Sequence, residues 1–258
     1  KIYWTDNPIA FLVPGKDYLN PKLKILVDEA LDLTSKEKLE NYLKKWLNNL
    51  IKTELCDLVN LINSKSKNNY ERALSFQLFE NNGIIKRESV GTIMKNISKE
   101  DRINLRKAGV KIGRYHIFLP KMLKPNAVNL RINLWRAFFQ ENKETPIPKF
   151  GLNFLQNQIK KNQKFLLICG FENFDKFYIR VDILERLFLK IIESTHDGVF
   201  KINSDMINLI GCKKENFFNI LELMQYKSKK IKKNKEEFFI YQPKYKKSRK
   251  KDVKKLNK

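Results

Sequence analysis

The side chains best suited to chemistry in this sequence lie between Leu105 and Pro125. Cationic side chains alternate there with rings, and the candidate contacts are Arg106, Lys107, Lys111, Arg114, Tyr115, His116, Lys121 and Lys124. An arginine binds phosphate as a two-pronged donor, and an aromatic ring can stack on an unpaired base. Gly109 and Gly113 let a partner approach the backbone closely. The pattern indicates a nucleic-acid contact, although a compact structural turn with Tyr115 in the core explains it equally well.

A second concentration of charge lies at the carboxyl end. From Lys227 to Lys258 there are fifteen basic and three acidic residues, so about an eighth of the chain holds half of the net charge of +24. Each lysine that neutralises a phosphate releases counterions, and binding then weakens steeply with salt. The candidate contacts here are Lys227, Lys229, Lys230, Lys232, Lys233 and Lys235. The alternative is a lysine-rich end that only keeps the protein soluble.

A third candidate is the helix predicted at residues 213–225. Lys213, Lys214 and Asn216 lie at its start, while Phe217 and Ile220 are available to a core. Helix-turn-helix modules present such a helix to a nucleic-acid groove. The same module also serves as a protein docking unit or as a brace, and both of these interpretations stay open.

The motifs of nucleotide hydrolysis are missing from the sequence. A phosphate-cradling loop needs G-x-x-x-x-G-K-[ST], and the nearest match, residues 10–17, lacks both the first glycine and the hydroxyl after Lys16. With only His116 and His196, no Ser/His/Asp arrangement can be argued. We therefore expect no catalytic residue and no cofactor in this chain.

Composition also argues against a metal site or a membrane segment. Cys56, Cys169 and Cys212 are widely spaced, whereas structural zinc needs four clustered ligands. Such cysteines are typical of reduced thiols in a cytoplasmic protein. No apolar run approaches the roughly 18 residues of a membrane span. Because arginine is scarce beside lysine, part of the charge reflects the coding drift of an AT-rich genome.

The elements that must position these side chains are predicted to be mainly helical over the first 140 residues. Apolar residues at helical spacing predict helices over 35–62, 70–81, 87–97, 99–107 and 126–140. Thr34 with Glu37 is predicted to form a capping box, and Ser98 with Asp101 another. The proline-rich start, residues 1–34, is predicted to be irregular, with its short apolar pieces forming a strand or a docking segment against a neighbour.

The later part of the chain is predicted to be α+β. Residues 165–170 and 176–180 are predicted to form a hairpin. The following elements are predicted to be a helix at 181–193, a strand at 199–202, helices at 204–210 and 213–225, and strands at 226–231 and 237–241. This is the element order of a winged helix.

The predicted fold class is therefore mainly α with a small α+β part. The predicted divisions are a docking segment at 1–34, a helical domain at 35–140, a linker at 141–149, a winged-helix-like domain at 150–243 and a disordered basic tail at 244–258. The sequence also starts at Lys1 within what reads as folded chain, which predicts a fragment of a longer protein.

Four stretches of the sequence resemble one family. Leu105–Pro125 resembles a signature in the C-terminal half of bacterial superfamily-2 helicases similar to the helicase of the mitochondrial RNA degradosome. Three supporting stretches occur in the same order along the chain: Phe11–Gly15 with Leu19–Pro21, then Arg180–Arg186, then Met206–Cys212.

The resemblance implies that two RecA-like motor domains precede Lys1 in a polypeptide that unwinds RNA or DNA with ATP and magnesium. None of the family's catalytic motifs falls on this sequence, so no catalytic residue is carried over. The expected function is an accessory region that guides or holds a single strand. Two other functions stay open, a stand-alone RNA- or ribosome-binding protein and a structural brace for the motor.

Overall fold

The computed structural model describes residues 1–26, 32–63, 68–140, 146–156, 163–230 and 237–241. They form a mixed α+β fold in which helices predominate and the sheets are small and antiparallel. The chain divides into two compact units, Lys1–Arg186 and Leu187–Lys258. The sequence predicted a linker between domains at residues 141–149, of which residues 141–145 lie outside the described part.

A three-stranded antiparallel sheet opens the first unit, where the sequence predicted an irregular segment. In spatial order its strands are β1 (Ile2–Trp4), β2 (Asn7–Val13) and β3 (Lys22–Ile25). The turn from β2 to β3 is fixed because the Asp17 carboxylate accepts hydrogen bonds from the N–H groups of Leu19 and Asn20. A side chain at Gly15 would overlap the carbonyl of Asn20, so this tight turn requires glycine.

Three helices follow the first sheet. They are α1 (Leu33–Glu54), α2 (Cys56–Asn63) and α3 (Asn69–Glu80). The sequence predicted one helix over 35–62, but Leu55 interrupts it with a ψ of 26° while its side chain stays fully buried. The capping box predicted at Thr34 is wrong. Asp32 occupies the N-cap position, and hydrogen bonds from Ser35 and Thr34 lower the pKa of its carboxyl group.

A second three-stranded sheet follows, with helices between and after its strands. The strands are β4 (Ile84–Lys86), β5 (Lys111–Ile112) and β6 (His116–Phe118). The helices are α4 (Gly91–Asn96), α5 (Lys99–Lys107) and α6 (Pro125–Phe139), with 3₁₀ turns at Arg87–Val90 and Pro120–Leu123. The strand order is β4-β6-β5. The capping box predicted at the start of α5 is confirmed, because Ser98 and Asp101 exchange both hydrogen bonds.

The last part of the first unit contains a third sheet and two helices. The strands are β7 (Phe154–Gln156), β8 (Phe171–Phe174) and β9 (Phe177–Arg180). Helix α7 (Gln163–Ile168) precedes β8, and α8 (Val181–Glu193) begins directly after β9. The predicted hairpin is wrong in its first arm, because Phe165–Ile168 lie in α7 and β9 pairs with β8 and β7. A short apolar run fits a buried helix as well as a strand, and Gly170, with a φ of +96°, ends the helical turn.

The cores of the first unit are apolar faces of these helices. Leucines of α1, α2 and α3 pack with β6, and α6 shares a second cluster with α7, β8 and β9. Among the buried charged side chains of this unit, Arg131 of α6 is fully buried. It donates hydrogen bonds to the carbonyls of Asn82 and Met122, and burial lowers its pKa to about 10.

The second unit is a small α+β assembly. Beyond the end of α8 it contains β10 (Val199–Lys201), α9 (Ser204–Ile210), α10 (Lys214–Leu223), β11 (Lys227–Lys230) and β12 (Glu237–Ile240). The sheet is antiparallel with the order β10-β12-β11. Phe200, Phe217 and Phe239 are fully buried and form its core. Gly211, with a φ of +79°, ends α9 and lets the chain turn into α10.

Two further predictions concern the membrane and the tail. Among the described residues, no helix combines the length and the apolar character that crossing a bilayer requires. The basic tail predicted at 244–258 lies outside the described residues.

Candidate nucleic-acid interface

The turn from Gly113 to His116 joins β5 to β6 and is held by one buried carboxylate. Glu185 of α8 accepts hydrogen bonds from the backbone N–H groups of Arg114, Tyr115 and His116 at 2.5, 2.8 and 2.8 Å. A side chain at Gly113 would run into this carboxylate. Converging backbone N–H groups make a concave anion site, and here the protein's own carboxylate fills it. The turn therefore has one fixed shape.

His116 lies on the inner side of this turn and is only 1% exposed. Its Nε2 is 2.7 Å from the Glu172 carboxylate, and Lys86 Nζ is 2.7 Å from the other oxygen of that group. Burial alone raises the pKa of Glu172, but hydrogen bonds with His116 and Lys86 outweigh it and hold the pKa below its usual value. His116 therefore braces the turn from inside, and its ring is not presented to a ligand.

Exposed cationic side chains flank the turn in the sequence. Arg106 and Lys107 end α5, Lys111 begins β5, and Lys124 precedes α6. All four are exposed, and in the described part of the chain none of them has an ion-pair partner. Lys111 Nζ lies 5.8 Å from the centroid of the Phe118 ring. These four cations are available to phosphates.

Lys121 differs from its neighbours because its charge is partly neutralised. Its Nζ lies 2.8 Å from Oδ1 of Asp57, and the hydrogen bond to that carboxylate raises the pKa of Lys121. The backbone of Gly109, with a φ of +88°, passes close to the same carboxylate. Lys121 therefore contributes less than the unpaired cations to a positive surface.

Arg114 and Tyr115 are half-buried, and their positions are set by the Glu185 contacts. Of the eight predicted contacts between Leu105 and Pro125, the structure thus leaves four exposed without an ion pair in the described residues. The His116 side chain is buried, and Lys121 is ion-paired with Asp57. Arg114 and Tyr115 are half-buried.

The second unit presents its own cationic side chains. Lys213 takes the N-cap position of α10 and Lys214 is its first residue. Both side chains are exposed, as is that of Lys227 at the start of β11. Lys214 Nζ lies 5.7 Å from the centroid of the Phe218 ring, and Asn216 is half-buried. The exposed end of α10 is therefore positive, while its buried face belongs to the core.

The other predicted contacts are only partly described. Lys229 and Lys230 lie in β11, but their side chains are not among the described ones. Lys232, Lys233 and Lys235 lie outside the described residues, as does the segment from 242 onward. For these residues the nucleic-acid contact stays a prediction from the sequence.

Sequence reasoning missed the side chains that shape the turn. Glu172 and Glu185 are charged yet buried, and their partners are more than fifty residues away in the sequence. Glu185 lies within the stretch Arg180–Arg186 that the sequence analysis singled out, but no local pattern distinguished its side chain from that of an exposed glutamate.

The chemistry that this arrangement supports is electrostatic. Among the described residues, no three His, Cys, Asp or Glu side chains are grouped so that they could hold a metal ion. Burial raises the pKa of the Cys169 thiol to about 12, which makes a nucleophilic thiolate unfavourable at neutral pH. What the exposed cations can do is bind phosphate oxygens.

Comparison of the chain with protein-family models, with curated proteins and with solved structures gave no match. Its function is therefore inferred from the residues and their geometry.

Proposed function

We propose that this chain is the C-terminal accessory region of an ATP-dependent RNA or DNA helicase, and that it binds nucleic acid without containing the motor. In this proposal two RecA-like domains precede Lys1, bind ATP and magnesium, and act in the cytoplasm. The region described here holds or guides a single strand, and it uses neither a cofactor nor a catalytic residue of its own.

The observation that carries the proposal is a fixed turn flanked by exposed, unpaired cations. Arg106, Lys107, Lys111 and Lys124 have no ion-pair partner in the described residues, and Glu185 holds the turn between them. A cation on a fixed backbone loses less conformational freedom when it binds phosphate than one on a mobile loop. This favours a binding surface over a drifted, solvated one.

The second unit supports the proposal through its topology and charge. Its element order, with two short helices after β10 and with β12 between β10 and β11, supports the interpretation as a winged helix. In that interpretation α10 is the recognition helix, and Lys213 and Lys214 contact the nucleic acid. In the sequence, residues 244–258 add nine basic residues and one acidic residue that can neutralise phosphates.

A salt-dependent titration tests the proposal. Lys107→Glu/Lys111→Glu should weaken binding of a fluorescent single strand at about 50 mM salt by at least roughly tenfold, because two attractive phosphate interactions become repulsive. Lys95→Glu/Lys99→Glu is the matched control, since it makes the same charge change at exposed positions away from the turn. Equal effects of the two variants would leave only non-specific charge, and the proposed surface would be wrong.

Of the two other functions, the structural brace has support from a single observation. A structural brace fits the buried His116 and the Glu185 clamp, which rigidify the turn whether or not it binds anything. A brace predicts no strand binding even at low salt. A stand-alone RNA- or ribosome-binding protein predicts that the gene encodes no G-x-x-x-x-G-K-[ST] loop and no acidic box upstream of Lys1, whereas the helicase proposal requires both.

A further inference from the structure

A groove of about 740 Å³ lies in the first unit, away from the turn at Gly113–His116. Its walls come from β1, the end of β2, one face of α1 and one face of α6. The volume falls within the range of about 300–1,000 Å³ that is usual for sites of small organic groups. The groove is therefore large enough to take a flat ring system together with its neighbours.

Aromatic side chains line part of the groove. Trp46 of α1 and Tyr3 of β1 line it, and their side chains remain 43% and 56% exposed. Large aromatic side chains normally bury most of their surface, so two exposed ones in one concavity have unsatisfied apolar area. A ring that stacks on a nucleobase gains about 1–3 kcal/mol, and every base offers a face for this contact.

A row of amides also lines the groove. Asn126, Asn129 and Asn133 of α6 all line the groove, and their spacing of three and four residues places them on one face of the helix. The Asn133 amide donates to the Oδ1 of Asn129, so one internal hydrogen bond orients the pair. Amides both donate and accept, which matches the edges of nucleobases and especially adenine.

The charge of the groove is weakly positive. Lys1 and Arg136 line it against a single acid, Glu54. Both cations lie over aromatic rings: Lys1 Nζ is 5.4 Å from the Phe11 centroid, and the Arg136 guanidinium carbon is 4.9 Å from that of Phe165. Amides could equally hold an extended peptide, but this charge and the net charge of the whole chain favour a polyanionic strand.

We propose that this groove binds unpaired bases of a single strand, with a base stacked on Trp46 and base edges hydrogen-bonded by the asparagines of α6. It is a second nucleic-acid site, distinct from the phosphate-binding cations around the turn. The ligand class rests on the proposed function, and the groove adds what those cations lack, a means to distinguish unpaired strands from duplex.

The experiment compares two strands that differ only in their bases. A fluorescent twelve-nucleotide oligodeoxyadenylate and an abasic oligonucleotide of equal length are titrated with the whole chain. Trp46→Ala should weaken oligodeoxyadenylate binding by about 5- to 150-fold, the loss of one base–aromatic stack, and leave abasic binding unchanged. Tyr42→Ala is the matched control, because Tyr42 is an exposed aromatic of the same helix that does not line the groove.

A second variant guards against an indirect effect of the tryptophan. Asn129→Ala, a substitution at an exposed position of α6, should weaken oligodeoxyadenylate binding by about 2- to 12-fold, as expected for the loss of one hydrogen bond.

If both groove variants bind oligodeoxyadenylate as the wild type does while salt-dependent binding persists, the groove proposal is wrong and the proposed function survives. If the wild type binds neither oligonucleotide, both fail. If a ten-residue acidic peptide displaces oligodeoxyadenylate in a Trp46-dependent manner, the groove is a peptide site and the proposal is overturned.

Discussion

Two buried carboxylates, Glu172 and Glu185, decide the shape of the turn that the proposed function uses. Taking a carboxylate out of water is unfavourable unless hydrogen bonds replace the lost hydration. The Glu185 carboxylate accepts hydrogen bonds from three backbone N–H groups. The Glu172 carboxylate is hydrogen-bonded to the His116 ring and to the Lys86 ammonium group. Each carboxylate is therefore stable only while the turn keeps its geometry, and the turn keeps its geometry because the carboxylates are there.

The first prediction concerns Glu185. Glu185→Gln should lower the free energy of unfolding of the first unit by about 2–3 kcal/mol, because the amide offers one acceptor and turns a donor toward backbone N–H groups. Urea unfolding followed by the fluorescence of the buried Trp135 measures this. Glu193→Gln makes the same change at an exposed position of the same helix and should be neutral. A neutral Glu185→Gln would mean that the carboxylate does not hold the turn.

The second prediction is the pH dependence that Glu172 causes. Its pKa in the folded protein lies below its ordinary value, so its stabilising contribution is complete above about pH 4.5 and is lost as the pH falls through the folded-state pKa. The difference in unfolding free energy between the wild type and Glu172→Gln should therefore shrink as the pH falls below about 4.5. Glu88→Gln, at an exposed position, is the control. A difference that stays constant down to about pH 3 would contradict the assignment.

At the scale of elements, two helices share one carboxylate. Asp101 completes the capping box at the start of α5, and its side chain also accepts a hydrogen bond from Asn68, which itself caps α3. Asp101 is 2% exposed, so solvent does not replace these partners easily. The start of α5, whose other end carries Arg106 and Lys107, is thereby fixed to α3.

The third prediction follows from this shared cap. Asp101→Ala should lower the unfolding free energy by about 2–4 kcal/mol, more than the roughly 1 kcal/mol of an ordinary N-cap, because two helix starts lose their partner. Glu100→Ala, at the exposed neighbouring position, should change it by less than about 0.5 kcal/mol. Chemical denaturation gives both values. A loss of only about 1 kcal/mol for Asp101→Ala would show that the two caps are independent.

The elements that the sequence predicted well are those whose signals are local. The bounds of α8 and α9 agree with the sequence pattern, because amphipathic spacing and the turn at Gly211 act within the element. The sheet of β1, β2 and β3 was missed because prolines obscure its alternation, and the residues around 165–168 were misread because a short apolar run carries no period. The Glu185 contacts depend on tertiary packing, so no local pattern announces them.

At the scale of the whole molecule, the most basic segment of the sequence also contains two strands of the second unit. Half of the net charge lies from Lys227 onward, but this segment also contains β11 and β12, and Phe239 of β12 is fully buried. Deleting everything from Lys227 would remove two of the three described strands of the second unit and the core residue Phe239, leaving Phe200 and Phe217 without this partner. Only the part after Pro243 can be removed as a test of charge.

The last prediction separates the electrostatic arm, residues 244–258, from the folded surface. Deleting the arm removes nine basic residues and one acidic residue but none of the described elements, so unfolding of the second unit should be unchanged. If the arm binds phosphates, log affinity for a single strand should depend less on log salt, by about 0.7 for each phosphate that the shortened chain no longer neutralises. Anisotropy titrations between about 50 and 200 mM salt measure the slope, and circular dichroism checks the fold. An unchanged slope would show that the arm stays in solvent and would leave the cations at the turn, α10 and β11 as the whole of the electrostatic surface.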